Sequence, residues 1–326
     1  MSKFKVLTIA TALVSALGLS SMANAASEIK VAFNQSDKHP QFLALADFGD
    51  KFTKATDGRY TLNIFPNELL GDQRASLELV QNSAIQMAVV ANPLVENYNS
   101  KFGILSLPYV YSGYEHQQKV FTSSILDELF KETSPMGFEV IAAYTGGARS
   151  MYNKEGPINT VADMKGKKIR VMQSDTMIKT LSCMGGKGVP MGQGEVYSAI
   201  QQGVLDGAEN SEITYFDLKQ YEVAPFYSAT RHLMVPDLVV ASSDFLDSMS
   251  DKDRAAFESL AKESTLVEFG LWQKQISVSK KAAQDKGATF NEVDITPFRE
   301  ACIPLQQELI KTAEQKALYK KIVALQ

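Results

Sequence analysis

The sequence predicts an α/β protein of two lobes, and three observations lead there. At 326 residues the chain exceeds the size, about 250–300 residues, at which a single hydrophobic core usually stops growing. Apolar runs of strand length alternate with stretches of helical period along most of it. After Pro135 the alternation starts afresh, which divides the elements into two similar sets.

Ser27 to Phe33 sets Ile29, Val31 and Phe33 on one face and reads as a first strand. The loop NQSDKHP then leads into a helix marked by Leu45, Phe48 and Phe52. Tyr60, Leu62 and Ile64 alternate as a second strand, Asp72 is placed to cap a helix carrying Leu77 and Val80, and Ile85 to Val90 is a nearly continuous apolar strand. Strand, helix, strand, helix, strand is the pattern of a parallel sheet covered by helices. The second set has strands at Val140 to Tyr144 and Lys168 to Met172, a helix near Glu195 to Gln202, and an exit through Gly203 and Asp206-Gly207.

Leu238 to Ser242 reads as a further strand, and Ser250 with Asp253 resembles a capping box. The helix that follows has an apolar stripe of Phe257, Leu260, Leu266, Phe269, Trp272 and Ile276, with no strong breaker before Gly287. Roughly 35 residues at 1.5 Å each span on the order of 50 Å, enough to run along both lobes. Residues 26–148 with 236–278 are assigned to the first lobe, and 149–235 with 279–326 to the second. No linker separates them, so the chain is expected to cross more than once, an arrangement suited to hinged closure.

The first 25 residues have Lys3 and Lys5, an apolar run from Val6 to Leu19, and the small-residue ending Ala23, Asn24, Ala25. This is the pattern of a secretory signal peptide, cleaved after Ala25. The apolar run is shorter than the roughly 20 residues a spanning helix needs. Cleavage removes two lysines and no acid, which moves the formal charge from -4 to -6. An acidic surface is not that of a nucleic-acid binder. The mature product is expected in the periplasm, not inserted in the membrane, and monomeric. Cys183 and Cys302 both lie in apolar stretches, and buried thiols are the commoner reading although export permits a bridge.

Nothing in the sequence assembles a catalytic constellation. The nucleophile elbow GxSxG, the zinc motif HExxH and the phosphate loop GxxxxGK are absent, and His39, His116 and His232 lack metal-ligand spacing. No metal or cofactor is implied, and binding is favoured over catalysis. Two arginines draw attention instead. Arg149 follows a strand within TGGARSMYN, where Gly146 and Gly147 permit close backbone approach. Arg170 lies between Ile169 and Val171, so strand alternation points it away from both. A guanidinium cannot shed its proton and needs an anion. For an arbitrary strand arginine that anion is usually an internal Asp or Glu.

The order of HP after the first strand, LLGDQR ahead of a helix, GGARSMYN, DMKGKKIRV, GEVYSAIQQGVLDGAEN and the long late helix resembles the solute-binding proteins of tripartite ATP-independent periplasmic (TRAP) transporters, the DctP-like family. The resemblance covers the whole mature chain and implies a two-lobed periplasmic binding protein fold, with a long helix along both lobes and a cleft closing on an organic acid. It places the family's signature arginine on Arg170, in a two-pronged salt bridge to the ligand carboxylate. Asn210 would donate to the same carboxylate, and Arg149 would be a second ligand cation. Membrane permease subunits are the implied partners.

Polar residues at strand ends and helix starts complete the expected site: Asn34, Gln35, Lys38, His39, Gln73, Arg74, Asn92, Glu195 and Tyr215. Within the family, GARSMYN, GEVYSA and DGAEN with the later YEVAPFYS are more similar to binders of sugar acids, hexuronates such as glucuronate and galacturonate, than to succinate or malate binders. A C4-dicarboxylate receptor, or a sensory protein read by a receptor kinase, is the alternative. CMGGKGVPM departs from the family's usual block, which leaves that loop open.

Overall fold

The computed structural model describes residues 26–326. The proposed signal peptide lies outside the described residues. The chain is a two-lobed α/β protein built on two sheets. It runs through β1 (Ser27–Ala32), β2 (Tyr60–Phe65), β3 (Met87–Ala91) and β4 (Phe138–Thr145) in the first lobe. It then crosses to β5 (Arg149–Asn153), β6 (Lys168–Val171), β7 (Lys187–Pro190), β8 (Gly207–Asn210) and β9 (Phe226–Leu233) in the second. β10 (Pro236–Ser242) returns to the first sheet and β11 (Thr289–Glu292) to the second. The strand orders are β2-β1-β3-β10-β4 and β11-β9-β5-β8-β6-β7.

Neither sheet is wholly parallel. β1 pairs parallel with β2 and β3, whereas β10 runs antiparallel to both β3 and β4, and β5 is antiparallel to β8 and β9. The antiparallel pairs arise where the chain crosses between lobes and returns. The alternation read for the first strand holds in the core, where Ile29, Val31 and Phe33 pack with Leu45, Phe48, Phe52 and Phe257. Asp72 caps its helix, accepting from the Ala75 N–H at 2.9 Å.

The long helix runs from Asp251 to Asp285, 35 residues, with Ser250 at its N-cap accepting from the Asp253 N–H. It packs on β4 and the helix Pro40–Ala55 of the first lobe and on the helix Glu212–Asp217 of the second. Its buried stripe differs in part from the expected one. Phe257, Phe269 and Trp272 are buried, but Leu266 is 52% exposed, and Ser264, Thr265 and Glu268 lie inside.

Those polar residues meet the crossover. Tyr144 Oη is 2.7 Å from Ser264 Oγ, and the Thr145 N–H donates to Glu268 at 3.0 Å. The two crossovers are bonded to each other, Gly146 N–H to the Val235 carbonyl at 3.1 Å. Gly147 has φ 78°, and a Cβ there would sit 2.5 Å from Trp272. Gly147 thus serves close approach to the long helix, and Gly146 close approach to the other crossover, where a Cβ would sit 2.6 Å from the Val235 carbonyl.

Two further expectations are corrected. The C-terminal helix Ala313–Val323 belongs with the first lobe, not the second: Ile322 is buried in that lobe's core, and its carbonyl accepts from His116 Nε2 at 2.8 Å. Cys183 and Cys302 are bridged, not free thiols, with Cα atoms 5.1 Å apart. The bridge ties the helix Asp175–Cys183 to the helix Thr296–Leu309 across 119 residues of sequence, a distance over which spacing says nothing about geometry.

Replacing both cysteines by alanine is expected to cost about 2–4 kcal/mol of stability, measured by guanidinium unfolding, with wild type in reductant giving the same loss. Glu268 supplies a pH test. Burial is the main force raising its pKa well above the usual 4.5, with Asp237 adding to the rise and the Thr145 N–H opposing it. The folded state therefore keeps a proton that the unfolded chain gives up, and stability is lost as pH rises from 4.5 towards that raised value. Glu268→Gln keeps an acceptor for Thr145 and should gain in Tm over wild type progressively as pH rises above 4.5.

Candidate ligand-binding cleft

Arg170 is positioned by β6, whose burial pattern leaves only Lys168 exposed. Ile169 and Val171 turn into the core at 0% exposure, and the alternation sends Arg170 to the other face. Its Nε–H donates to the Met191 carbonyl at 2.8 Å. The terminal nitrogens have no hydrogen bond to protein among the described residues, and the side chain lines a small cavity between the lobes. Lobe two contributes Met172, Gln173, Met191, Gly192 and Gln193 to this cavity, and lobe one Glu68, Asp72, Gln73, Arg74 and Leu94. Burial pulls the Arg170 pKa down, opposed first by the nearby Glu209 carboxylate. A guanidinium stays charged regardless. The result is a buried cation with two forward donors, the geometry that matches a carboxylate's two oxygens.

Arg149 is spent differently. Its Nε–H donates to Glu209 Oε2 at 2.6 Å, and its Nη2 to Glu209 Oε1 at 2.8 Å and to the Glu209 carbonyl at 2.9 Å. Nη1 donates to Asn210 Oδ1 at 2.9 Å. One N–H remains for anything else, and among the described residues Arg149 is held in an internal ion pair. Glu209 is wholly buried; despite burial, Arg149 and the neighbouring His232 lower its pKa to about 2, leaving it ionised. Nε2 of His232 stands 3.6 Å from Glu209, and burial lowers that imidazole's pKa below its usual 6.5, which favours its neutral form. Asn210 Oδ1 also accepts from the Ser211 N–H at 2.9 Å, which leaves its amide nitrogen without a protein partner among the described residues, although Asn210 does not line the cavity. β8 sets Ala208 beside Arg170 and Asn210 two residues further on.

The other expected residues separate into three groups. Gln73 and Arg74 line the cavity with Arg170, although Gln73 Oε1 already accepts from the Ala91 N–H at 2.6 Å. Asn34 flanks it, with Nδ2 3.4 Å from Gln193 Oε1 across the lobes. The rest do not line it. Asn92 is buried and donates to the Phe102 carbonyl and Ser106, and Tyr215 is a core residue, packed on Tyr152 and Tyr227, whose hydroxyl donates to the Ala224 carbonyl. His39 is buried edge-on to Trp272 with ring centroids 5.4 Å apart, its pKa lowered by burial to about 3, and both nitrogens lack a partner among the described residues. Lys38 and Glu195 are exposed. These five remain outside the cavity that Arg170 lines.

Sequence reasoning passed over Glu68, Gln173, Gln193 and Glu209. Glu209 had a signal: an acid inside the strand GAEN, beside two arginines in need of an anion. Further contacts link the lobes. Glu96 accepts from Ser174 Oγ at 3.1 Å and from the Thr176 hydroxyl, and Asn97 Nδ2 donates to the Gln173 carbonyl at 3.1 Å.

A cleft between two α/β lobes, with crossings at its base and a buried, half-engaged guanidinium in its wall, defines a two-lobed solute-binding protein. The family model DctP, described as bacterial extracellular solute-binding protein, family 7, matches residues 31–312, and the chain belongs to this family. An uncharacterised protein of Salmonella typhimurium is 32% identical over 306 residues, covering 93% of each chain. A crystal structure of a TRAP periplasmic solute-binding protein from Anaerococcus prevotii with bound D-glucuronate superposes with a TM-score of 0.89 at 34% identity, covering 92% of this chain and 98% of that one. A relative from a Bradyrhizobium species, in complex with D-galacturonate, gives 0.89 at 30% identity, covering 91% and 100%.

The two arginines should respond oppositely to truncation. Arg149→Leu strands the buried Glu209 charge and is expected to destabilise the fold by about 3–5 kcal/mol. Arg170→Ala should change unfolding by under about 1 kcal/mol, because it breaks one bond to a carbonyl. Urea unfolding of both variants checks this, and equal losses would contradict the division of labour.

Proposed function

We propose that this protein is the periplasmic solute receptor of a TRAP transporter, which binds a hexuronate such as glucuronate or galacturonate through its carboxylate and hands it to a membrane permease. The observation that carries the reading is Arg170, a buried guanidinium whose terminal nitrogens open on the interlobe cavity. The amide nitrogen of Asn210 supplies a further donor. The relatives solved with glucuronate and galacturonate support a sugar acid as the ligand. The amino-terminal segment supports export to the periplasm. No described helix is long and apolar enough to cross a membrane. As a receptor, the protein releases its ligand unchanged.

Titration calorimetry with D-glucuronate, D-galacturonate, succinate and malate tests the reading. Tightest binding is expected for a hexuronate, and a preference for either dicarboxylate would overturn the assignment. Arg170→Ala should weaken hexuronate binding by about 3–5 kcal/mol, two to four orders of magnitude in Kd. Mass analysis of ligand recovered after denaturation should return the acid intact; a converted product would show an enzyme.

A further inference from the structure

The turn between β2 and the following helix is held in a costly conformation. Asn67 and Glu68 both have positive φ, 56° and 57°, without being glycine. Two bonds to the loop after β1 fix them: the Asn67 N–H donates to the Gln35 carbonyl at 2.9 Å and the Glu68 N–H to the Phe33 carbonyl at 3.2 Å. Consecutive left-handed residues persist where the surrounding structure over-determines them, and such strain clusters at ligand clamps. Here it aims a carboxylate into the cleft. Glu68 lines the cavity, one of its oxygens is enclosed without a hydrogen-bond donor, and the other lies 2.9 Å from where a Cβ of Gly194 would stand. The side chain thus reaches from lobe one to the backbone of lobe two.

Resting on the reading of a sugar-acid receptor, we infer that Glu68 sets the specificity of the cleft: it accepts hydrogen bonds from ligand hydroxyls and excludes acids that carry a second carboxylate. Arg170, on the opposite lobe, takes the first carboxylate. An ionised carboxylate is acceptor-only and suits hydroxyl donors, while two carboxylates brought together cannot both stay charged cheaply. Asp72 lines the same wall and adds to the negative field. Arg74 also lies there, but it is exposed, and solvent screens it far more than it screens the buried oxygen of Glu68. Burial and the Asp72 charge already push the Glu68 pKa up, with Arg170 opposing them. A second ligand carboxylate would deepen that conflict, whereas a hydroxyl relieves the enclosed oxygen.

The experiment compares each hexuronate with the diacid of the same skeleton, D-glucuronate with D-glucarate and D-galacturonate with galactarate, by calorimetry on wild type, Glu68→Gln and Glu68→Asp. Wild type should prefer the hexuronate. Glu68→Gln should weaken hexuronate binding roughly ten- to a hundredfold and narrow the preference over the diacid by at least about tenfold. Glu68→Asp keeps the charge, so it should weaken the hexuronate yet still exclude the diacid. An unchanged ratio in Glu68→Gln, with wild type preferring the hexuronate, overturns the role of Glu68 and leaves the receptor reading standing. Diacid admitted by Glu68→Asp overturns it as well. Wild type preferring a diacid overturns both.

Discussion

Lobe two presents a ligand face only because Glu209 is held ionised in its interior. A lone buried carboxylate would take up a proton rather than remain charged. The fork of Arg149 meets both its oxygens and the backbone carbonyl, which supplies the bonds a buried pair needs to offset desolvation. The pair joins β5 to β8 and orients Asn210, whose carbonyl oxygen it engages and whose amide nitrogen it leaves free. The negative charge of Glu209 also offsets part of the burial cost of Arg170. One carboxylate therefore serves two arginines, one locked by it and one left free to face the cleft.

The crossovers translate that face into a closing device. β4 leads to β5 and β9 to β10 through a few residues each, and the long helix passes both. Gly147 lies against Trp272, so the helix and the crossover cannot separate locally without opening a void at a fully buried indole. Asp237 and Glu268, both with raised pKa through burial, stand at the same junction with Gln41 bonded to Asp237 at 2.7 Å. These are costly groups to keep inside, and they lie where the backbone must change direction, which leaves carbonyls and N–H groups needing partners.

Much of this was legible in the sequence, and the limits have physical causes. Two-residue alternation identified β1 and β2 because one face of each meets a core, and the absence of breakers gave the long helix its extent. β5 and β8 escaped as strands because their residues are polar on the ligand side, so RSMYN and GAEN look like loop while every residue in them is buried. The pairing of Cys183 with Cys302, and the return of the C-terminal helix to lobe one, are tertiary facts that no local period encodes. Arg170 was legible as an arginine among apolar neighbours. Arg149 looked the same, and only its contacts distinguish it.

The cleft has opposite character on its two walls. Lobe two brings a cation with unused donors, and lobe one brings Glu68 and Asp72. Closing such a cleft without a ligand would bury Arg170 with no bidentate partner and Glu68 with no donor, which costs desolvation on both sides. A molecule with a carboxylate at one end and hydroxyls at the other satisfies each wall in its own terms. Closure is then favourable only when the occupant has that polarity in that order, since a ligand shifts a conformational equilibrium only by its difference in affinity for the two states.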